Sequence, residues 1–160
     1  MDFLGIESIE EYANGSEKGA KIYWDSGRVV QLKNRAETVL RKIALYYGKT
    51  PKAIRAEWKL KMKGEAVRDI PLFISRALNF IPIKTKDGKS YVNVAYNTDV
   101  LGCAIRFLRS GRKILSVWTE KTLRRRMLSA MRCAIKDEMR RKREDESLNN
   151  SDVDWYLKNV

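Results

Sequence analysis

The chain has 160 residues, with 33 lysines and arginines against 20 aspartates and glutamates, a net charge of +13, two cysteines and no histidine. That length suits one domain with a real core, and no uncharged apolar run approaches the ~20 residues of a membrane-spanning helix. Without histidine the commonest general base is missing, and Cys103 and Cys133 lack zinc-site spacing, so two reduced, inert thiols are expected rather than a metal centre or a disulfide.

The charge is unevenly spread. Residues 1–20 and 144–160 each balance at −4, whereas residues 21–143 carry 31 basic and 10 acidic side chains, or +21. The sequence therefore divides into an acidic, loosely ordered N-terminal segment (1–20), a basic body (21–143) and an acidic C-terminal tail (144–160). A strongly basic body is the electrostatic footprint of a nucleic-acid binder.

In chain order, residues 1–20 suggest at most a short helix around "IESIEEYA" before the breaker Asn14-Gly15. Acids stand where a secretory leader would carry lysine or arginine, so export is not expected. The expected setting is cytoplasmic and nucleoid-associated, in a bacterium or phage. "KIYWDSGRVVQL" predicts a hairpin turning at Asp25-Ser26-Gly27. Asn34, with Glu37 three residues on, predicts the cap of a helix to about Tyr47, its apolar face formed by Val39, Leu40, Ile43, Ala44 and Tyr47 and its end at Gly48. Thr50-Pro51 predicts the start of a shorter basic helix, although the period-two alternation of "WKLKMK" fits a strand as well.

"IPLFISRALNFIPIKT" has two prolines and reads as extended segments, Asp87-Gly88 as a turn, and "KSYVNVAYN" as a strand. "IRFLRSGRKILSVW" predicts a second hairpin with a basic tip. From Thr119, a candidate N-cap, Leu123, Met127, Ala130, Met131, Ala134, Ile135 and Met139 recur as one face of a long helix, with Arg125, Arg132, Lys136 and Arg140 on another. The expected fold class is α+β: antiparallel strands and hairpins, a mid-chain helix and a long basic amphipathic C-terminal helix.

Catalysis has little support. Asp25, Asp69, Asp87 and Asp99 are isolated in sequence, and "GKS" at 88–90 lacks the upstream glycine of a phosphate loop. No enzyme, cofactor, metal, membrane or small-molecule substrate is expected. Binding residues are better represented. Arg109, Arg112 and Lys113 surround a hairpin tip narrow enough to enter a DNA groove. Arg124, Arg125 and Arg126 crowd the first turns of the last helix, where a positive dipole end disfavours cations unless a phosphate compensates. Ala44, Gly48 and Ile54 match helix-turn-helix offsets, although Glu57 stands where that motif is usually apolar. In that reading Lys49, Lys52 and Arg55 face DNA, and Lys59, Lys61 and Lys63 extend a phosphate track.

The order of these segments from Lys21 to Met131 resembles the ComK family of Gram-positive competence transcription factors. The resemblance rests on the "KIYWDSGRVVQL" hairpin, "YYG" at 46–48, "IPLFIS", "FIP" and the late "IRFLRSGRKILSVW" hairpin before a helix. The chain departs from the family pattern at Ile83, where threonine is usual, and around Tyr91 to Tyr96, where Cys-x-Trp is absent; a match to the C-terminal adaptor-recognition segment is also lacking. The resemblance implies a divergent, shortened DNA-binding regulator that sits on A/T-rich boxes through the minor groove, bends DNA and works as paired protomers. The residues by themselves agree on DNA, on a groove-sized hairpin and on no catalysis; with the resemblance, the leading expectation is a sequence-preferring double-stranded DNA-binding transcriptional regulator, its acidic ends expected to fold back on the basic body and suppress non-specific binding. The competing expectation is a basic interaction or inhibitor protein, encoded by a phage or mobile element, that binds a host protein or RNA.

Overall fold

The computed structural model describes residues 3–64 and 69–159. Along the chain run β1 (Ile6–Asn14), β2 (Glu17–Trp24), β3 (Val29–Leu32), α1 (Ala36–Tyr46), α2 (Pro51–Lys61), β4 (Leu72–Ser75), β5 (Leu78–Thr85), β6 (Gly88–Asn93), β7 (Thr98–Leu101), β8 (Ala104–Phe107), β9 (Lys113–Leu115) and α3 (Glu120–Asn159). Strands pair antiparallel in a six-stranded sheet, β3-β2-β1-β6-β5-β4, and a three-stranded sheet, β7-β8-β9. The class is α+β.

The N-terminal segment departs from expectation. Instead of a loose stretch with a short helix, residues 6–14 form β1, a central strand of the large sheet. Asn14-Gly15 is a hairpin signal rather than a simple breaker: Asn14 pairs with Glu17, and Gly15 supplies the positive φ (63°) that such a two-residue loop demands. The helical appearance of "IESI" comes from Ile6 and Ile9 being three apart. A register shift between Ile6 and Ser8 puts both isoleucines, fully buried, into the same core.

Alternation across the large sheet creates two cores. One face, with Ile9, Ile22, Phe80 and Tyr91, is covered by α1 and α2 through Val39, Leu40, Ile43, Ile54 and Trp58. The other, with Ile81, Ile83, Val92 and Val94, is covered by Ile105, Phe107 and Ile114 of the small sheet and by Leu123, Met127 and Ala130 of α3. Asn93 fastens the sheet internally. Its Nδ2 donates to the carbonyls of Ile6 (2.8 Å) and Ala77 (2.7 Å), and its Oδ1 accepts from the amides of Asn79 (3.0 Å) and Ala95 (3.1 Å). Pro82 lies within β5 with its side chain exposed, so the segment is extended as its prolines imply.

The helix signals locate starts well. Thr50 Oγ1 accepts from the Ala53 amide (3.2 Å) with Pro51 opening α2, and "WKLK" is helical. Thr119 Oγ1 accepts from the Thr122 amide (3.3 Å). Asn34 is not the α1 cap; Arg35 occupies that position, without a side-chain hydrogen bond. Along α3 the buried positions are Leu123, Met127, Ala130, Cys133 and Asp137, whereas Ile135 and Met139, expected on the apolar face, are exposed. The helix leaves one core after Ala130 and enters the other with Cys133 and Ala134, beside Trp58 of α2, so its buried stripe follows the body's outline. Residues 144–159 continue this helix, and the described side chains, 144–146 and 153–159, are exposed rather than packed back on the basic body.

Candidate nucleic-acid interface

The β8–β9 hairpin forms as expected, with Ile105 opposite Ile114 and Arg106 opposite Lys113. Its exposed tip is tied to the large sheet. Ser110 Oγ donates to Glu7 Oε1 (2.9 Å), and the Arg112 guanidinium lies between Glu7 (3.4 Å), Glu10 and the Ser8 hydroxyl, stacked 4.0 Å from the Tyr23 ring centroid. Glu7 is fully buried; its Oε1 takes both tip donors while its Oε2 has no hydrogen-bond partner among the described residues. A buried carboxylate needs a cation, and β1 places Ser8 and Glu10 on the same side of the sheet as Tyr23 to hold one. Arg112 is therefore a clamp between the hairpin and the large sheet, not a free groove probe. Arg109 pairs with Asp25 (3.1 Å) but keeps 74% of its side chain exposed, and Lys113 is exposed on β9.

Beside Arg109, Tyr96 donates its hydroxyl to Asp25 (3.0 Å). Burial and this carboxylate push the Tyr96 phenol up to about 12, favouring its neutral, donating form. Asp25 thus joins the β2–β3 turn, the β6–β7 connection and the hairpin tip. Among the described residues, no group of three or more histidine, cysteine, aspartate or glutamate side chains is arranged to hold a metal ion.

At the start of α3 the crowding of arginines is relieved inside the protein. Arg124 reaches Glu120 (2.9 Å) and the Val100 carbonyl (2.8 Å), and Arg126 reaches Asp69 (3.5 Å) while stacking 4.4 Å from the Trp118 ring centroid. Arg125 alone of the three has no partner among the described residues, and it is exposed. The expected phosphate clamp of three adjacent arginines is thereby reduced to one free cation.

The helical layer has a different character. α1 and α2 are joined by residues 47–50, with Gly48 at φ 71°. Ala44 and Ile54 are buried, as the helix-turn-helix offsets require, and Glu57 is exposed and paired with Lys61 (2.7 Å). That carboxyl is held below the usual range by the lysine it accepts from. Trp58, one position later, supplies the buried contact that Glu57 does not. Lys61 also lies 4.5 Å from the Trp58 ring centroid, and Lys49 donates to the Ile74 carbonyl (2.8 Å), so both are engaged.

Lys52, Arg55 and Lys59 are spaced three and four residues apart, which puts them on one side of α2 over about 10 Å of helix axis, and Lys63 follows just past the helix. All four are exposed without an ion-pair partner among the described residues. Arg35 and Arg41 of the α1 region, which are not among the expected site residues, are exposed on the same layer and likewise have no ion-pair partner among the described residues. Their signal was present: α1's apolar face leaves Arg41 pointing outward. The expected site residues therefore separate into engaged cations (Lys49, Lys61, Arg109, Arg112, Arg124, Arg126) and free ones (Lys52, Arg55, Lys59, Lys63, Lys113, Arg125).

No family model, curated protein or solved structure matches this chain.

Proposed function

We propose that this protein is a sequence-preferring double-stranded DNA-binding regulator, in keeping with its resemblance to the ComK family, and that its main phosphate-binding element is the α1–α2 layer. One observation carries the reading: Lys52, Arg55, Lys59 and Lys63 form a stripe of exposed cations along α2 with no ion-pair partner among the described residues, unlike Arg106, Arg109, Arg112, Arg124 and Arg126, which pair with carboxylates. Unpaired cations in a row attract a polyanion and release its counterions, whereas arginines already held by buried carboxylates contribute little further charge. The partly matched helix-turn-helix supports placing α2 against the duplex, and Lys113 at the hairpin is available for a secondary contact. Paired protomers on adjacent boxes and A/T preference belong to this proposal through the resemblance.

Fluorescence anisotropy with a random short duplex at several salt concentrations tests it. Replacing Lys52, Arg55, Lys59 and Lys63 together by glutamine is expected to flatten the slope of log affinity against log salt by roughly 3 to 4, at about 0.9 per phosphate. A control with the same charge loss elsewhere, at Lys18, Lys84, Lys86 and Lys89, is expected to leave the slope nearly intact. Equal effects would remove α2 as the interface. Preference for single-stranded DNA or RNA in competition would replace the duplex reading with the RNA alternative, and failure to bind any nucleic acid would favour an acidic protein partner.

A further inference from the structure

Between the β2–β3 hairpin and α1 lies an open cavity of about 400 Å³, within the size range of small-molecule sites. Its walls are apolar: Ile22 and Trp24 from β2, Val30 and Leu32 from β3, Val39 and Ile43 from α1. The side chains of Phe3 and Tyr46, in edge-to-face contact at 5.1 Å, form its rim.

The charges at this recess all have one sign. Arg28 and Lys42 line it, and among the described residues no aspartate or glutamate does. Arg28 is fixed over the Trp24 ring, 4.7 Å from its centroid, a cation–π contact that holds the guanidinium at the edge of the apolar floor. Neither Arg28 nor Lys42 has an ion-pair partner among the described residues, although both are within a chain that engages many of its other cations with carboxylates. The recess thus offers an apolar trough with two cations in its lining that have no ion-pair partner among the described residues.

We infer that this cavity binds a small amphipathic carboxylate, a medium-chain acyl or arylalkyl acid, with its apolar body between α1 and the β2–β3 hairpin and its carboxylate between Arg28 and Lys42. A planar guanidinium matches a carboxylate with two parallel hydrogen bonds, and the lysine adds a second, point-like charge. A fully polar anion leaves the apolar trough unused. An uncharged alkyl chain leaves the cations unused, so the two halves of the site select the two halves of the ligand. This inference is independent of the duplex reading, since neither Arg28 nor Lys42 belongs to the α2 stripe.

Isothermal titration calorimetry of the full chain, without DNA and below micelle-forming concentrations, tests it with decanoate, decanol and decyltrimethylammonium. Saturable one-site binding of decanoate is expected, with decanol about tenfold weaker or more and the ammonium analogue weaker still, given that a hydrogen bond to a charged group contributes about 1.5–3 kcal/mol. Arg28→Gln with Lys42→Gln is expected to weaken decanoate by a similar factor, while Lys52→Gln with Arg55→Gln, equal in lost charge, leaves it unchanged. A diazirine-bearing decanoate should label peptides of β2, β3 or α1. Equal losses in the two double variants would show general attraction to a basic surface and overturn the assignment. So would labelling confined to other elements, or no binding of decanoate.

Discussion

Replacing Arg112 by alanine discriminates between an arginine that reads DNA and one that holds the fold. The substitution leaves Glu7, fully buried, with Ser110 as its only side-chain donor among the described residues. Removing one member of a buried pair costs about 3–5 kcal/mol because the other charge stays buried without compensation. Arg112 itself retains a quarter of its side-chain exposure, so water reaches part of the site and the lower end applies. Loss of the stacking on Tyr23 (4.0 Å) and Phe107 (5.2 Å) adds about 1 kcal/mol, for a total of about 4 kcal/mol. At about 2–4 °C per kcal/mol for a chain of this length, the thermal midpoint falls by roughly 8–16 °C. Urea unfolding followed by circular dichroism at neutral pH gives the free energy directly. Adding Glu7→Gln in the Arg112→Ala background removes the stranded charge and is expected to recover about 1–2 kcal/mol. Arg109→Ala, largely exposed, is expected to cost less than about 1 kcal/mol. If Arg112→Ala costs no more than Arg109→Ala, or Glu7→Gln recovers nothing, the clamp reasoning is wrong.

Other outcomes follow from the same geometry. Asn93→Leu strands the carbonyls of Ile6 and Ala77 and the amides of Asn79 and Ala95, and is expected to cost about 3 kcal/mol or more by chemical denaturation. Gly19→Ala places a methyl against the Leu32 carbonyl, 2.0 Å from where that carbon would stand, and should destabilise the β2–β3 pairing by about 1–3 kcal/mol, seen as faster amide exchange in β3. Tyr96 keeps its proton to about 12 in the folded state against about 10 in an unfolded chain, so its contribution is complete below pH 10 and is lost as pH rises from 10 to 12; Tyr96→Phe should show a flatter alkaline stability limb in that window, and an unchanged limb would count against the Asp25 hydrogen bond. With Cys133 buried and its thiol pushed up to about 11 by burial, a thiol reagent should titrate Cys103 alone in the native protein and both cysteines after unfolding.

Much of the architecture was readable in the residues because it depends on local chemistry. Thr50-Pro51, Thr119 and Gly48 mark helix ends through their own hydrogen bonds and backbone freedom, and the β2–β3 and β8–β9 hairpins follow from alternation around a turn. The unevenness of charge is likewise a property of composition. Two things required the folded chain. One was the N-terminal strand: a bulge between Ile6 and Ser8 changes which residues share a face, and a central position in the sheet outweighs the poor strand propensity of its glutamates. The other was which cations are free. Arg112 and Lys52 look alike as positive residues in basic stretches, but Glu7 and Glu10, about a hundred residues away in sequence, neutralise the first, and no carboxylate among the described residues pairs with the second. Local sequence determines where a charge can be placed; only long-range packing decides whether it is spent on a buried partner or left to face a ligand, because ion pairing depends on distance in space and not along the chain.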